Sequence, residues 1–360
     1  MPLLNIEKHG SKLESLQCLR GLAVILVVIY HIAAYEQKMV TSPKIRDGFD
    51  FGAAGVDIFF VLSGFVMVLI TKSTNSFMEW GKSIKFLQRR AIRIYPLYWF
   101  YTLIALVVLG LYPNLANRSE GVADISLIHT IFLLPDTGAP LVGQGWTLIH
   151  EMYFYLVFSV ILIVPKRWWG MLLLLWGAVV SIVNYLLNPS WGTIFGDAWP
   201  WPALIFNPLT LEFIGGCYLA LLIKSHKFKY GKCVLLIGLC IFLISGFDLF
   251  TSDLSKVSRE IAFGIPSLMV VYGLLSLDQY TELRWPRWLV AIGDASYSIY
   301  LCHIFVLSAC VLIWKKSGLH NDLSLIVALV IMFILSIFSG FASYRYVERP
   351  LQRKLKQYIR

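Results

Sequence analysis

The chain has 360 residues, of which 58% are hydrophobic and 14% charged, with a formal net charge of +10 and a mean hydropathy of +0.70. Charged residues make up about a quarter of an ordinary soluble domain, so this composition excludes one and points to a polytopic membrane protein. The positive charge has a topological explanation, and nucleic acid is not an expected partner.

In chain order, apolar runs long enough to cross about 30 Å of hydrocarbon occupy residues 16–35, 52–71, 94–112, 147–164, 168–187, 207–223, 233–250, 260–277, 289–314 and 323–346. The expected fold is all-α, with about ten transmembrane helices in a single membrane domain covering residues 1–360. The first run is full length and carries Arg20 and His31, so it does not read as a cleavable signal peptide. The run 125–134 is too short to cross and reads as a surface or re-entrant piece. The sequence carries no sign of a particular oligomeric state.

Arg20 and His31 lie eleven residues apart in the first run. Helical geometry brings them to within about 20° of one face and separates them by about 16 Å. An ionisable side chain inside a bilayer is costly and is a functional candidate for that reason. The second run carries GVDIFFVLSGF from Gly55 to Phe65. Its Asp57 is ionisable, and Gly55, Ser63 and Gly64 permit close approach by a neighbouring helix or a ligand. Phe86 to Trp99 reads FLQRRAIRIYPLYW, with Arg90 and Arg93 three apart beside Arg89. Guanidinium groups bind phosphate bidentately, which suits a phosphorylated ligand. Pro96 is expected in the first turn of the third span, where it would set the entry angle.

The fourth run contributes His150 and Glu151, but the zinc motif HExxH fails because its fifth position is Phe154; no metal site is expected. Glu212 lies in the sixth run, and Ser296, Tyr297, Tyr300 and His303 share the ninth. The tyrosine hydroxyls are positioned either to steer a substrate or to bridge helices. The six cysteines show no CxxC pair and read as reduced, small apolar residues.

Lys and Arg accumulate in cytoplasmic loops. One set of loops and the carboxyl-terminal tail hold Lys72, Lys82, Lys85, Arg89, Arg90, Arg93, Lys166, Arg167, Lys224, Lys227, Lys229, Lys232, Arg349, Arg353, Lys354, Lys356 and Arg360, whereas the alternate loops hold Asp124, Asp136, Asp197, Asp248 and Asp253. Both termini are therefore expected on the cytoplasmic side, although Lys315 and Lys316 run against the pattern. On this topology His31, Asp57, Glu151 and Glu212 share an outer layer, with the arginines on the inner side. His31 is the residue best suited to take a proton from a hydroxyl. Glu151 is the expected carboxylate at its second ring nitrogen, with Asp57 and Glu212 as alternatives. The same ionisable layer also suits ion coupling, so a transporter or flippase for a glycolipid or proton-coupled solute is the competing reading.

Taken together, these strings resemble the membrane acyltransferase 3 family, whose members O-acylate cell-surface and exported glycans. The resemblance rests on Arg20 and His31, on Gly55 to Phe65, on Arg90 to Trp99, on Trp146 to Tyr155, on Ser296 to His303 and on Glu348 to Pro350, in order along nearly the whole chain. It implies ten helices in a bacterial inner membrane and an O-acyltransferase, acetyl being the expected group. Acyl-CoA is the implied donor substrate, reached from the cytoplasm, with no permanently bound cofactor. A glycan or lipid-linked saccharide is the implied acceptor. His31 is the implied essential residue, acting as general base or through an acyl-histidine, while Arg20, Arg90 and Arg93 serve the donor. Asp57, Ser63, Tyr297, Tyr300 and Glu212 are the candidates for lining the substrate path. Members with an appended esterase-like domain differ from this chain, which ends at Arg360 shortly after the last run. Trp191, Trp199 and Trp201 offer aromatic faces for a sugar.

Overall fold

The computed structural model describes residues 14–40, 50–71, 80–112, 126–138, 140–187, 200–225, 229–246, 259–280, 285–318 and 322–358. Lys72, Lys227 and Arg360, the aspartates 124, 197, 248 and 253, and Trp191 and Trp199 lie outside the described residues. Among the described residues the structure is helical, without strands. The helices are α1 (Glu14–Glu36), α2 (Gly55–Ile70) after a 3-10 turn at Asp50–Ala54, α3 (Trp80–Leu111), the short α4 (Leu127–Phe132), α5 (Gly145–Ile161), α6 (Trp169–Leu187), the short α7 (Pro200–Ile205) and α8 (Leu209–Ser225). They continue with α9 (Gly231–Gly246), α10 (Ile265–Tyr280) after a π-helical turn at Glu260–Gly264, α11 (Arg287–Asp294), α12 (Ser296–Ser317), α13 (Asp322–Ser343), a second π-helical turn at Tyr344–Glu348 and α14 (Arg349–Lys356). Among the described residues each of the ten apolar runs falls mainly on helix. Eight helical segments among the described residues are long and apolar enough to cross a membrane, and Gly145–Ile161 and Gly231–Ser245 are shorter apolar helices. Exposed apolar rows such as Leu103 and Val107 on α3 or Leu174, Leu175 and Ile182 on α6 suit lipid, a helix being a form whose backbone hydrogen bonds close within the segment.

Two elements differ from the sequence expectation. The third helix begins at Trp80, so Pro96 sits deep inside it rather than in its first turn. Hydropathy alone misses this half because Lys82, Lys85 and Arg89 are exposed, yet Ser83, Phe86, Arg90, Ile94 and Leu97 are buried at the three- and four-residue spacing of a single helix face. With no N–H on Pro96, the Ile92 carbonyl loses its helical donor. The ninth run breaks at Ala295 into α11 and α12.

The chain divides into two compact units. The first comprises Met1–Leu69 with Gly215–Tyr344, and the second Ile70–Ile214 with Arg345–Arg360. In the first, α1 is the hub, packed on α10, α11, α12, α13 and the 3-10 turn. Helix association within a bilayer depends on close packing rather than on a hydrophobic driving force, and glycines supply the closeness. A Cβ built at Gly293 would be 2.6 Å from the Gln17 carbonyl carbon, and one at Gly55 would be 2.9 Å from a Val27 methyl group. On the far side of α2, the Cys217 thiol donates to the Gly64 carbonyl at 3.4 Å. The small residues of the GVDIFFVLSGF string at Gly55 and Gly64 thus serve helix packing.

The second unit is built on aromatic packing. Phe154 stacks on Phe213 at 4.6 Å between ring centroids, with Trp176 against both rings and Phe158 against Trp169. The aromatic end of FLQRRAIRIYPLYW has a structural task here. Tyr95, Tyr98 and Trp99 donate to the carbonyls of Phe132, Thr130 and Ile131 at 3.0, 2.9 and 2.9 Å. These are the carbonyls of the last turn of α4, that of Thr130 also accepting from the Leu133 N–H at 3.4 Å, and helix-end carbonyls need such donors from outside the helix. Three aromatic donors on one helix thereby hold the short α4 against α3.

Candidate active site

His31 lies on the carboxyl-terminal half of α1, half-buried, eleven residues after the half-buried Arg20. Its Nδ1 is 2.8 Å from the Val27 carbonyl oxygen. A carbonyl only accepts, so Nδ1 carries the proton and the neutral ring keeps its lone pair on Nε2. The helix itself therefore fixes the tautomer. This corrects the expectation that a carboxylate occupies the second ring nitrogen, because a buried i−4 carbonyl already fills that position.

Around His31 lie rings from two elements of the first unit. Tyr30 meets it edge-on at 5.1 Å and 84°, and His303 of α12 at 4.9 Å and 66°. Tyr300 continues the cluster, 6.0 Å from His303 and 6.2 Å from Phe59 of α2. Tyr35, one turn beyond His31, shares a 3.0 Å hydrogen bond with Ser308. Of the residues expected to line the substrate path, Tyr300 is thus brought to the imidazole. Tyr297 and Ser63 are half-buried.

Asp57 has a different setting. It is fully buried, and both its oxygens accept from Arg259, from Nε at 3.2 Å and Nη2 at 2.8 Å. Arg259 Nη2 also donates to the Ala53 carbonyl at 3.2 Å. The carboxylate expected among the substrate-lining groups is therefore taken up by a forked ion pair between the amino-terminal turn of α2 and the residue just before the π-helical turn. Arg259 escaped sequence reading because its partner lies 202 positions away.

The second unit holds a separate charged cluster. Arg90 is 6% exposed, and its guanidinium lies over the Phe86 and Tyr155 rings at 5.5 and 5.4 Å. Tyr155 of α5 donates to Glu151, one turn earlier on the same helix. Arg93 and Glu151 both act electrostatically on Arg90. The expectation that Glu151 belongs to an outer layer and Arg90 to an inner surface is overturned. Because α3 starts at Trp80, Ser83 Oγ already reaches the Ser159 carbonyl at 2.7 Å, and ten residues of helix carry the arginine up alongside Glu151. Two guanidinium groups and one carboxylate leave the cluster net positive, and the buried Arg90 Nε makes no hydrogen bond. Such a group suits an anion that accepts from it. Glu212 is also buried, in the first turn of α8, where the helix dipole favours a carboxylate.

The comparisons with known proteins bear on these clusters. A family model described as an acyltransferase domain, acyltransferase 3, matches residues 13–345. The chain belongs to the acyltransferase 3 family. It is 33% identical over 320 residues to the exopolysaccharide production protein ExoZ of Rhizobium meliloti, covering 87% of this chain and 93% of that one. It is 26% identical to the peptidoglycan O-acetyltransferase OatA of Listeria monocytogenes, covering 94% of this chain and 56% of OatA. It is also 26% identical to the acyltransferase MdmB of Streptomyces mycarofaciens, covering 82% and 79%. No solved structure matches the chain. As a member of this family, the chain is a multi-pass membrane acyltransferase.

Proposed function

We propose that this acyltransferase moves an acetyl group from acetyl-CoA, supplied from the cytoplasm, to a hydroxyl of a surface or exported polysaccharide, as a protein of the bacterial inner membrane. The acceptor class is supported by the names of ExoZ and OatA. The observation that carries the mechanism is the His31 tautomer, because Nδ1 bonded to the Val27 carbonyl leaves Nε2 as the basic nitrogen.

His31 Nε2 takes the proton of the acceptor hydroxyl while its oxygen attacks the thioester carbonyl. As the tetrahedral intermediate collapses, the carbon–sulfur bond breaks and the thiolate takes that proton back from the imidazolium, giving the ester and coenzyme A thiol. General-base assistance of this kind contributes about 10²- to 10⁴-fold. Arg90 and Arg93 give the second unit a net positive cluster that suits an anionic ligand. The test is polysaccharide acetylation in producing cells that carry His31→Ala. Acetylation should fall to background with the variant present in the membrane at wild-type level, and unchanged acetylation would remove His31 as the base.

A further inference from the structure

Cations outside the clusters described above gather on two helices of the second unit. The first half of α3 exposes Lys82, Lys85 and Arg89. Arg345 in the second π-helical turn is exposed, as are Arg349, Arg353, Lys354 and Lys356 on α14, and α14 packs on α3. Neither helix offers a carboxylate to balance them. Residues 80–111 contain no Asp or Glu, and the acidic residue of 344–358, Glu348, is buried and accepts from Gln352 Nε2 at 3.1 Å. α14 is two-sided: Leu351, Gln352 and Leu355 are half-buried on one helical face, and its cations lie outside it. Counting back from Leu111, about 30 Å of helix ends near Ala91, which leaves Lys82, Lys85 and Arg89 beyond the hydrocarbon edge, at the level of the headgroups. A helix as charged as α14 belongs at that level too, because cations are costly in hydrocarbon. Trp80, Tyr346 and Tyr358, on the same elements, are exposed, and Trp and Tyr favour the headgroup level.

We infer that this basic face of α3 and α14 binds the headgroups of anionic phospholipids. Orientation of the chain requires only that cations lie in the loops on one side. It does not require that eight exposed cations share two packed helices, nor that the neighbouring carboxylate be turned inward. An anionic headgroup carries phosphate oxygens that accept from guanidinium and ammonium donors. A basic two-sided helix at an interface draws such lipids by charge as well as by its apolar side. The Arg90 cluster differs in kind. There the guanidinium is buried over two aromatic rings, whereas here the cations are exposed, which suits lipids that exchange at a surface. Exposed charges are screened by salt, so this binding weakens as ionic strength rises.

Native mass spectrometry of the full-length protein tests this, with phosphatidylglycerol or phosphatidylcholine of matched chains added in a neutral detergent. Wild type should bind phosphatidylglycerol at least about tenfold more tightly than phosphatidylcholine. Arg353→Gln, Lys354→Gln and Lys356→Gln combined should cut that preference by at least about fivefold, the effect of one cation near an anionic surface. The charge-conserving set Arg353→Lys, Lys354→Arg and Lys356→Arg should keep it. Arg167, Lys229 and Lys232 are exposed cations on other segments, and changing all three to Gln should leave the preference as in wild type. A neutralised α14 variant that still prefers phosphatidylglycerol as wild type does would overturn the inference. So would an equal loss in the Arg167, Lys229 and Lys232 variant, or loss of the preference in the charge-conserving one. Displacement of phosphatidylglycerol by excess coenzyme A would assign the face to a soluble phosphate and overturn it as well.

Discussion

Removing Arg259 should damage this protein more than neutralising Asp57, although the two form one ion pair. Asp57 is fully buried, whereas the Arg259 side chain is 36% exposed. Arg259→Met leaves a carboxylate in the protein interior without the two donors that compensate it, the circumstance in which breaking a buried pair costs about 3–5 kcal/mol. Asp57→Asn leaves a guanidinium that still reaches solvent and still donates to the Ala53 carbonyl, so its cost is about 1–2 kcal/mol, one hydrogen bond to a charged group with partial compensation. At about 2–4 °C per kcal/mol, melting temperatures should fall by about 6–20 °C and about 2–8 °C respectively. The double variant should melt above Arg259→Met alone, because it no longer buries an uncompensated charge. Melting of purified protein in detergent, followed by tryptophan fluorescence, gives all four values. A drop in Asp57→Asn as large as that in Arg259→Met, or a double variant no better than the single, would refute this account of the pair.

Other outcomes follow from the same geometry. Arg90→Lys should raise KM for acetyl-CoA by about tenfold or more with kcat little changed, because an ammonium cannot present the planar fork of donors; an unchanged KM in steady-state thiol-release assays would detach Arg90 from the donor. Gly293→Val should lower the melting temperature and the yield of folded protein, since its side chain would enter the Gln17 backbone of α1, overpacking of a kind that costs about 1–3 kcal/mol or more; wild-type melting would contradict the close crossing of α1 and α11. Direct attack by the acceptor oxygen predicts that intact-mass spectrometry after mixing with acetyl-CoA alone finds no acetylated His31, and a stoichiometric adduct would establish a covalent route instead.

Much of the helix plan was legible in the sequence because apolar length is a local property, visible in each of the ten runs. The start of α3 was not, since its first half is amphipathic and a window average cancels Phe86 and Ile94 against Lys82, Lys85 and Arg89. That error displaced Arg90 from Glu151 by several turns and produced two layers of charge where the second unit has one cluster. The Tyr155–Glu151 contact was readable, being four residues apart on one helix. The Asp57–Arg259 pair and the meeting of His31 with His303 were not, because they join residues 202 and 272 positions apart in the chain and depend on how α1, α2, α10 and α12 pack. The tautomer of His31 also needed coordinates, since Val27 enters only through its backbone.

The central claim is that the free nitrogen of His31 takes the acceptor's proton during acyl transfer. Coenzyme A thiol release by the purified full-length chain, measured with acetyl-CoA in the presence and absence of deacetylated surface polysaccharide, tests it most directly when wild type is set beside His31→Ala. Acceptor-dependent release by wild type that falls at least about 100-fold in the variant, with acetyl-CoA binding retained, is the predicted result. Equal acceptor-dependent release by the two proteins would contradict it.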